Sequence, residues 1–202
     1  MRRLVPLFVL IAACGGTASD QTPGGQDAVA PASSVADSPS TTADDRSTPP
    51  TSEPDSPPTT DSGRPVAPDF TLVLGEGGEY TLSEGFRPVY MVFWAEWCPS
   101  CRRELPVIDA LAAEYADEVD FIAPAWKSNF EATQARADEL FQSGRIQWGL
   151  DDQETIFQLY GVPYQPVTVL IAGDKTVVEA WAGLRGEEEL RAAIDNLVAL
   201  SG

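Results

Sequence analysis

The sequence predicts one α/β domain over residues 66–202. The expected architecture is a βαβ unit followed by ββα, with a mixed central sheet flanked by helices and an added N-terminal β-hairpin. Three observations carry this reading. Core-forming residues are concentrated after position 66: from Gly15 to Pro65 there is no aromatic residue and no Leu, Ile or Met. The remaining stretch, about 137 residues, is long enough for one compact core. Within it, segments of strand character alternate with segments of helical period before two strands follow each other directly.

Taken in order, Phe70–Leu74 and Tyr80–Leu82 read as short strands joined by the turn Gly75-Glu76-Gly77-Gly78. Val89–Trp94 (VYMVFW) is a near-continuous apolar run of the kind buried on both faces in a central strand. Leu105, Ile108, Leu111, Ala112 and Tyr115 recur at helical spacing, predicting a helix over about Cys98–Tyr115. Val119–Ala123 returns as a strand parallel to the first through a right-handed crossover. Phe130, Thr133, Ala137, Leu140 and Phe141 mark a second helix capped by Ser128 or Asn129, and a shorter helix follows around Glu154–Tyr160. Val167–Ala172 and Val177–Trp181 are joined by a tight Gly173-Asp174 turn and are expected antiparallel. Leu190, Ala193, Ile194 and Leu197 line the last helix, with Glu187, Glu188 and Glu189 in its first turn, where the dipole favours anions.

The N-terminus reads differently. Arg2 and Arg3 precede an apolar stretch, Leu4–Ile11, too short to span a bilayer as a helix. Ile11-Ala12-Ala13-Cys14 then resembles the lipobox of bacterial lipoproteins, whose cysteine receives diacylglycerol before cleavage. Residues 1–13 are therefore expected to be a lipoprotein signal peptide and Cys14 the lipidated residue. The alternative is an ordinary secretory signal with a coincidental cysteine. Residues 14–65, rich in Ser, Thr, Pro and Asp, cannot bury enough apolar surface to offset their ordering entropy and read as a disordered tether. As a flexible coil it would reach roughly 40 Å from the membrane.

Charge and composition exclude several functions. The chain carries −18 overall, and residues 66–202 hold 23 acidic against 9 basic side chains. Such a surface repels phosphate backbones, so no nucleic-acid partner is expected. There is no histidine, which removes imidazole triads and His metal ligands.

The chemistry sits at Trp97-Cys98-Pro99-Ser100-Cys101, in the turn between strand VYMVFW and its helix. Unpaired N–H groups and the dipole at a helix start stabilise a thiolate on Cys98. Cys101 lies one turn further, within reach to form or resolve a disulfide. Pro99 suits the first helical turn, where its missing N–H costs little. Three other readings compete. A zinc site needs about four ligands, and two thiolates without His fall short. A structural disulfide over four residues constrains the unfolded chain little. Two inert buried cysteines fit poorly at a helix start flanked by Trp and Pro. Redox chemistry is the reading that the pattern favours.

Phe93-Trp94-Ala95-Glu96-Trp97-Cys98-Pro99-Ser100-Cys101 resembles the active site of the thioredoxin superfamily. Pro68-Asp69-Phe70-Thr71-Leu72 upstream and Arg102-Arg103-Glu104-Leu105-Pro106 downstream narrow the resemblance to the TlpA/DsbE-like (redoxin) branch of extracytoplasmic thiol-disulfide oxidoreductases, over roughly residues 66–200. The resemblance implies a thioredoxin fold with an added N-terminal hairpin, Cys98 as attacking and Cys101 as resolving thiol of a redox-active disulfide, and Glu104 as a carboxylate that tunes thiol pKa values. On its own, Glu104 reads equally as an ordinary helix charge. The resemblance also implies a cis Gln165–Pro166 bond opposite the cysteines. With Trp97 and Pro99, Gln165 and Pro166 would then bind an extended partner chain. Trp94, Trp97 and Trp126 are candidates to rim the site, with core positions as the alternative, most of all for Trp94.

Two departures qualify this. Val92 stands where cytoplasmic thioredoxins carry a buried acid, which leaves Glu104 as the expected proton handler. Pro99-Ser100 matches neither Gly-Pro nor Pro-His, so no prototype potential transfers. Peroxiredoxins share the PDFTL-like opening but need a lone peroxidatic Cys with Thr three residues before it. Here that position is Ala95. The sequence thus predicts a lipid-anchored, extracytoplasmic protein thiol-disulfide oxidoreductase, monomeric and without metal or organic cofactor. Its expected partners are thiols or disulfides of exported proteins or apocytochrome c, and a membrane redox protein that recycles the dithiol. The rivals are a non-catalytic binding module on the same fold and a peroxiredoxin-like peroxidase.

Overall fold

A computed structural model of the chain describes residues 63–201, so Cys14 and nearly all of the tether lie outside the described residues. A five-stranded mixed sheet runs in the order β5-β4-β3-β6-β7, and a separate two-stranded hairpin precedes it. The hairpin pairs β1 (Thr71–Val73) with β2 (Glu79–Thr81) antiparallel and passes through a 3-10 turn, Leu82–Glu84. β3 (Val89–Phe93) is central and every residue in it is buried, as its unbroken apolar run requires. It pairs parallel with β4 (Asp120–Trp126) through the crossover helix α1 (Pro99–Glu114), and antiparallel with β6 (Val167–Ile171).

Alternation along β3 divides the core in two. Tyr90 and Val92 point to the face covered by α1, by α2 (Phe130–Leu140) and by α4 (Glu187–Ala199), meeting Leu105, Ile108, Leu190 and Ile194. Met91 and Phe93 point to the opposite face, where Leu72 and Leu82 from the hairpin meet Phe157 of the short helix α3 (Thr155–Leu159). α2 is capped by Asn129, whose Oδ1 accepts from the Ala132 N–H at 3.1 Å.

One strand was not expected from the sequence. β5 (Ile146–Asp151) pairs parallel with β4, so the chain runs βαβαβ before its ββα end. Gly149 weakens the local strand signal in IQWGLD, and its presence has a tertiary cause. A Cβ there would collide with the Val73 carbonyl and lie 2.8 Å from Leu72 Cγ, so glycine is what allows the hairpin to lie against β5. At the end of β5, Asp151 accepts hydrogen bonds from the N–H groups of Thr155, Ile156 and Phe157 at 2.8–2.9 Å. This anchors α3, which leads into the Pro163–Pro166 loop. The β6–β7 (Val177–Ala182) connection is also wider than the expected two-residue turn. Lys175 joins it in the left-handed region (φ 66°), and Asp174 Oδ1 accepts from both the N–H and hydroxyl of Thr176.

Candidate active site

Strand β3 ends at Phe93, and the chain turns through Trp94–Trp97 into α1. Trp94 is fully buried, with its indole N–H donating to the Ala123 carbonyl at 3.1 Å, so it belongs to the core and not to the rim. Trp126 packs edge-on against Phe157, with ring centroids 4.6 Å apart. Only Trp97 of the three is exposed.

Cys98 is the N-cap residue of α1 and Pro99 its first helical residue. The Cys101 N–H donates to Cys98 Sγ at 3.1 Å, so the sulfur occupies the position where a capping oxygen normally satisfies a first-turn donor. Cys98 and Cys101 are joined as a disulfide, with Cα atoms 5.3 Å apart. Both are buried, Cys98 retaining only 3% exposure. Across from it, the Gln165–Pro166 peptide bond is cis and the Gln165 carbonyl oxygen stands 4.0 Å from Cys98 Sγ. The structure thus brings Trp97, Cys98, Pro99, Cys101, Gln165 and Pro166 to one end of the sheet.

Glu104 follows Cys101 by one turn and is 3% exposed. Oε1 accepts the Arg185 N–H at 2.9 Å, while Oε2 has no hydrogen-bond partner. Burial raises its pKa above the usual carboxylate range, and the Arg185 N–H and guanidinium partly offset this. Val92 is buried on β3 beside Thr168 of β6, so no acid rises from the sheet at that position. Among the described residues no three Cys, Asp or Glu side chains converge as metal ligands.

Sequence reasoning missed several neighbours. Tyr164 and Leu184 are large exposed apolar residues that directly precede Gln165 and Arg185, both of which contact the site. Trp97, Tyr164 and Leu184 are thus exposed apolar residues next in sequence to residues of the site, in three different loops. Tyr90, Thr168 and Trp181 lie on the α1 side of the sheet with buried polar atoms that lack partners. A tyrosine and a threonine inside otherwise apolar strands were the signal available.

The Redoxin family model matches residues 61–194. The chain belongs to the redoxin family. Similar curated proteins include the thioredoxin-like protein YneN of Bacillus subtilis (strain 168), 29% identical over 133 residues, covering 64% of this chain and 76% of that protein. The thiol-disulfide oxidoreductase ResA of Geobacillus thermodenitrificans (strain NG80-2) is 29% identical over 136 residues, covering 65% and 75%. Similar solved structures include a secreted Mycobacterium tuberculosis disulfide oxidoreductase homologous to E. coli DsbE (TM-score 0.57, 25% identity, covering 63% of this chain and 96% of that one). A putative thiol:disulfide interchange protein DsbE from Chlorobium tepidum gives a TM-score of 0.61 at 26% identity, covering 67% and 96%. This redoxin has the thioredoxin fold with an added hairpin and is a thiol-disulfide oxidoreductase.

Proposed function

We propose that this redoxin exchanges disulfides with exported proteins from a lipid anchor at Cys14, using Cys98 and Cys101 as its redox couple. The observation that carries the reading is the disulfide at the start of α1, set against the backbone carbonyl of Gln165. In the reducing direction, the Cys98 thiolate attacks one sulfur of a substrate disulfide. A mixed disulfide forms and one substrate thiolate leaves. Cys101 then attacks Cys98 Sγ, giving up its proton to the Glu104 carboxylate. The Cys98–Cys101 disulfide forms and the second substrate thiolate leaves, so two electrons pass from dithiol to substrate. Run backwards, the same steps oxidise a substrate dithiol. Trp97, Pro99, Gln165 and Pro166 hold the extended substrate segment.

The extracytoplasmic placement is supported by the signal-like residues 1–13 and by the secreted Mycobacterium tuberculosis neighbour. Within that placement the substrates are thiols or disulfides of exported proteins or apocytochrome c, and a membrane redox protein recycles the couple. The test is Cys101→Ser in cells: mixed disulfides through Cys98 should accumulate and disappear under reductant. Absence of such adducts would favour a non-catalytic binding role. The reduction potential of the couple separates the directions, near about −270 mV for a reductase and near about −120 mV for an oxidase.

A further inference from the structure

Glu104 is held from a part of the chain 81 residues away. The β7–α4 loop delivers Arg185, whose backbone N–H donates to Glu104 Oε1 at 2.9 Å. The Arg185 guanidinium is itself fixed on two sides. Its Cζ lies 3.8 Å from the centroid of the Trp181 ring, and it pairs with Glu179 Oε1 at 2.7 Å. Trp181 in turn meets the edge of Tyr90, with centroids 6.3 Å apart. Tyr90 of β3 and Arg185 of the loop act electrostatically on the carboxyl, Cys101 lies one turn before it on its own helix, and Glu179 of β7 is paired with Arg185.

This arrangement leaves the carboxyl between two states. As an anion, Glu104 has no donor for Oε2 and sits among apolar side chains, which disfavours it. Among the described residues Arg185 is the cation that acts on this carboxyl, and stacking on Trp181 with an ion pair to Glu179 holds its guanidinium in place.

We propose that Arg185 is a positioning residue for the resolving step: its backbone N–H orients the Glu104 carboxyl, and its clamped guanidinium makes the anion accessible when Cys101 must lose its proton. The inference rests on the proton role proposed for Glu104. In the step itself, the Cys101 S–H proton moves to a Glu104 carboxylate oxygen while the sulfur electron pair forms the new bond to Cys98 Sγ. Arg185 exchanges neither proton nor electrons.

The test is a carbon-13 NMR titration of the Glu104 carboxyl in the oxidised protein, for wild type, Arg185→Gln and Arg185→Lys. Each variant keeps the backbone N–H; Arg185→Gln removes the charge, the stacking and the ion pair to Glu179, whereas Arg185→Lys retains the charge. Arg185→Gln should move the Glu104 midpoint upward by roughly 1 pH unit. Arg185→Lys should return most of that shift. On the acid limb of the resolution rate, Arg185→Gln should slow release of the mixed disulfide about tenfold, and it should have no further effect in a Glu104→Gln background. An unmoved Glu104 midpoint in Arg185→Gln, or an equal shift in Arg185→Lys, overturns the proposal. Failure of the underlying reading looks different: Glu104→Gln alone would then leave the resolution rate unchanged while the carboxyl titration still responds to Arg185.

Discussion

Asp109 and Ser143 are joined by two hydrogen bonds, from the Ser143 N–H to Oδ2 at 2.9 Å and from the Ser143 hydroxyl to Oδ1 at 2.6 Å. The pair fastens the middle of the active-site helix to the loop between α2 and β5. Because Asp109 is 6% exposed, deleting its carboxylate leaves two donors without their acceptor. Asp109→Ala should therefore lower stability by about 2–4 kcal/mol and Ser143→Ala by about 1–2 kcal/mol, measured by urea unfolding. Equal, near-zero effects would remove this pair from the account of how α1 is held.

The thiol chemistry has an electrostatic cause that can be measured. Arg102 and Arg103 sit in the first turns of α1, where cations oppose the helix dipole, and neither forms a side-chain ion pair among the described residues. They and the Cys101 N–H all favour a negative sulfur at Cys98. In the reduced protein Cys98, at the N-cap of α1, should alkylate well below pH 8 and ahead of Cys101. Arg102→Gln combined with Arg103→Gln should raise the Cys98 midpoint by up to about 1 pH unit. A wild-type midpoint at or above about 8.5 would refute the reactive-thiolate reading.

Burial of Glu104 has a consequence for folding as well as for proton transfer. Its folded-state pKa is raised, so between the unfolded and folded values the native state binds more protons than the unfolded chain. Stability from this group is fully present below the unfolded pKa and is lost as pH rises through the folded value. Glu104→Gln, which stays neutral, should flatten that part of the curve. Thermal unfolding from pH 4 to pH 8 should show wild type losing ground to Glu104→Gln as pH increases. The reverse ordering would contradict the burial argument.

A prediction about β5 follows from its glycine. Gly149→Ala would drive a methyl group into the Val73 carbonyl and the Leu72 side chain. The hairpin must shift to admit it, costing about 1–3 kcal/mol by denaturant unfolding. Hydrogen exchange should speed up at Leu72–Leu74 more than in β3. A variant as stable as wild type would show that the hairpin yields freely.

These cases also show where sequence reading succeeds. β3 and α1 were legible because the buried run VYMVFW and the apolar spacing of Leu105, Ile108 and Leu111 are local patterns that burial rewards directly. β5 escaped because its defining residue, Gly149, is there for contact with the hairpin and speaks against a strand locally. The cysteines announced themselves by spacing alone. Glu104 could be singled out only through family resemblance, since nothing in RRELPV says that this carboxylate is buried. Arg185 was invisible for a simpler reason. Its contact with Glu104 spans 81 residues and uses a backbone N–H that any non-proline residue would offer.

The hairpin's grip on β5 has one more effect. Gly75 donates its N–H to the Trp148 carbonyl at 2.8 Å, so the hairpin engages an outward-facing backbone acceptor of the sheet's terminal strand. An open strand edge is a template on which a second chain can add, and crowding molecules side by side makes that addition more frequent. In this redoxin the β1–β2 arm occupies part of one such edge. That stretch of β5 backbone is thereby withdrawn from pairing with another chain.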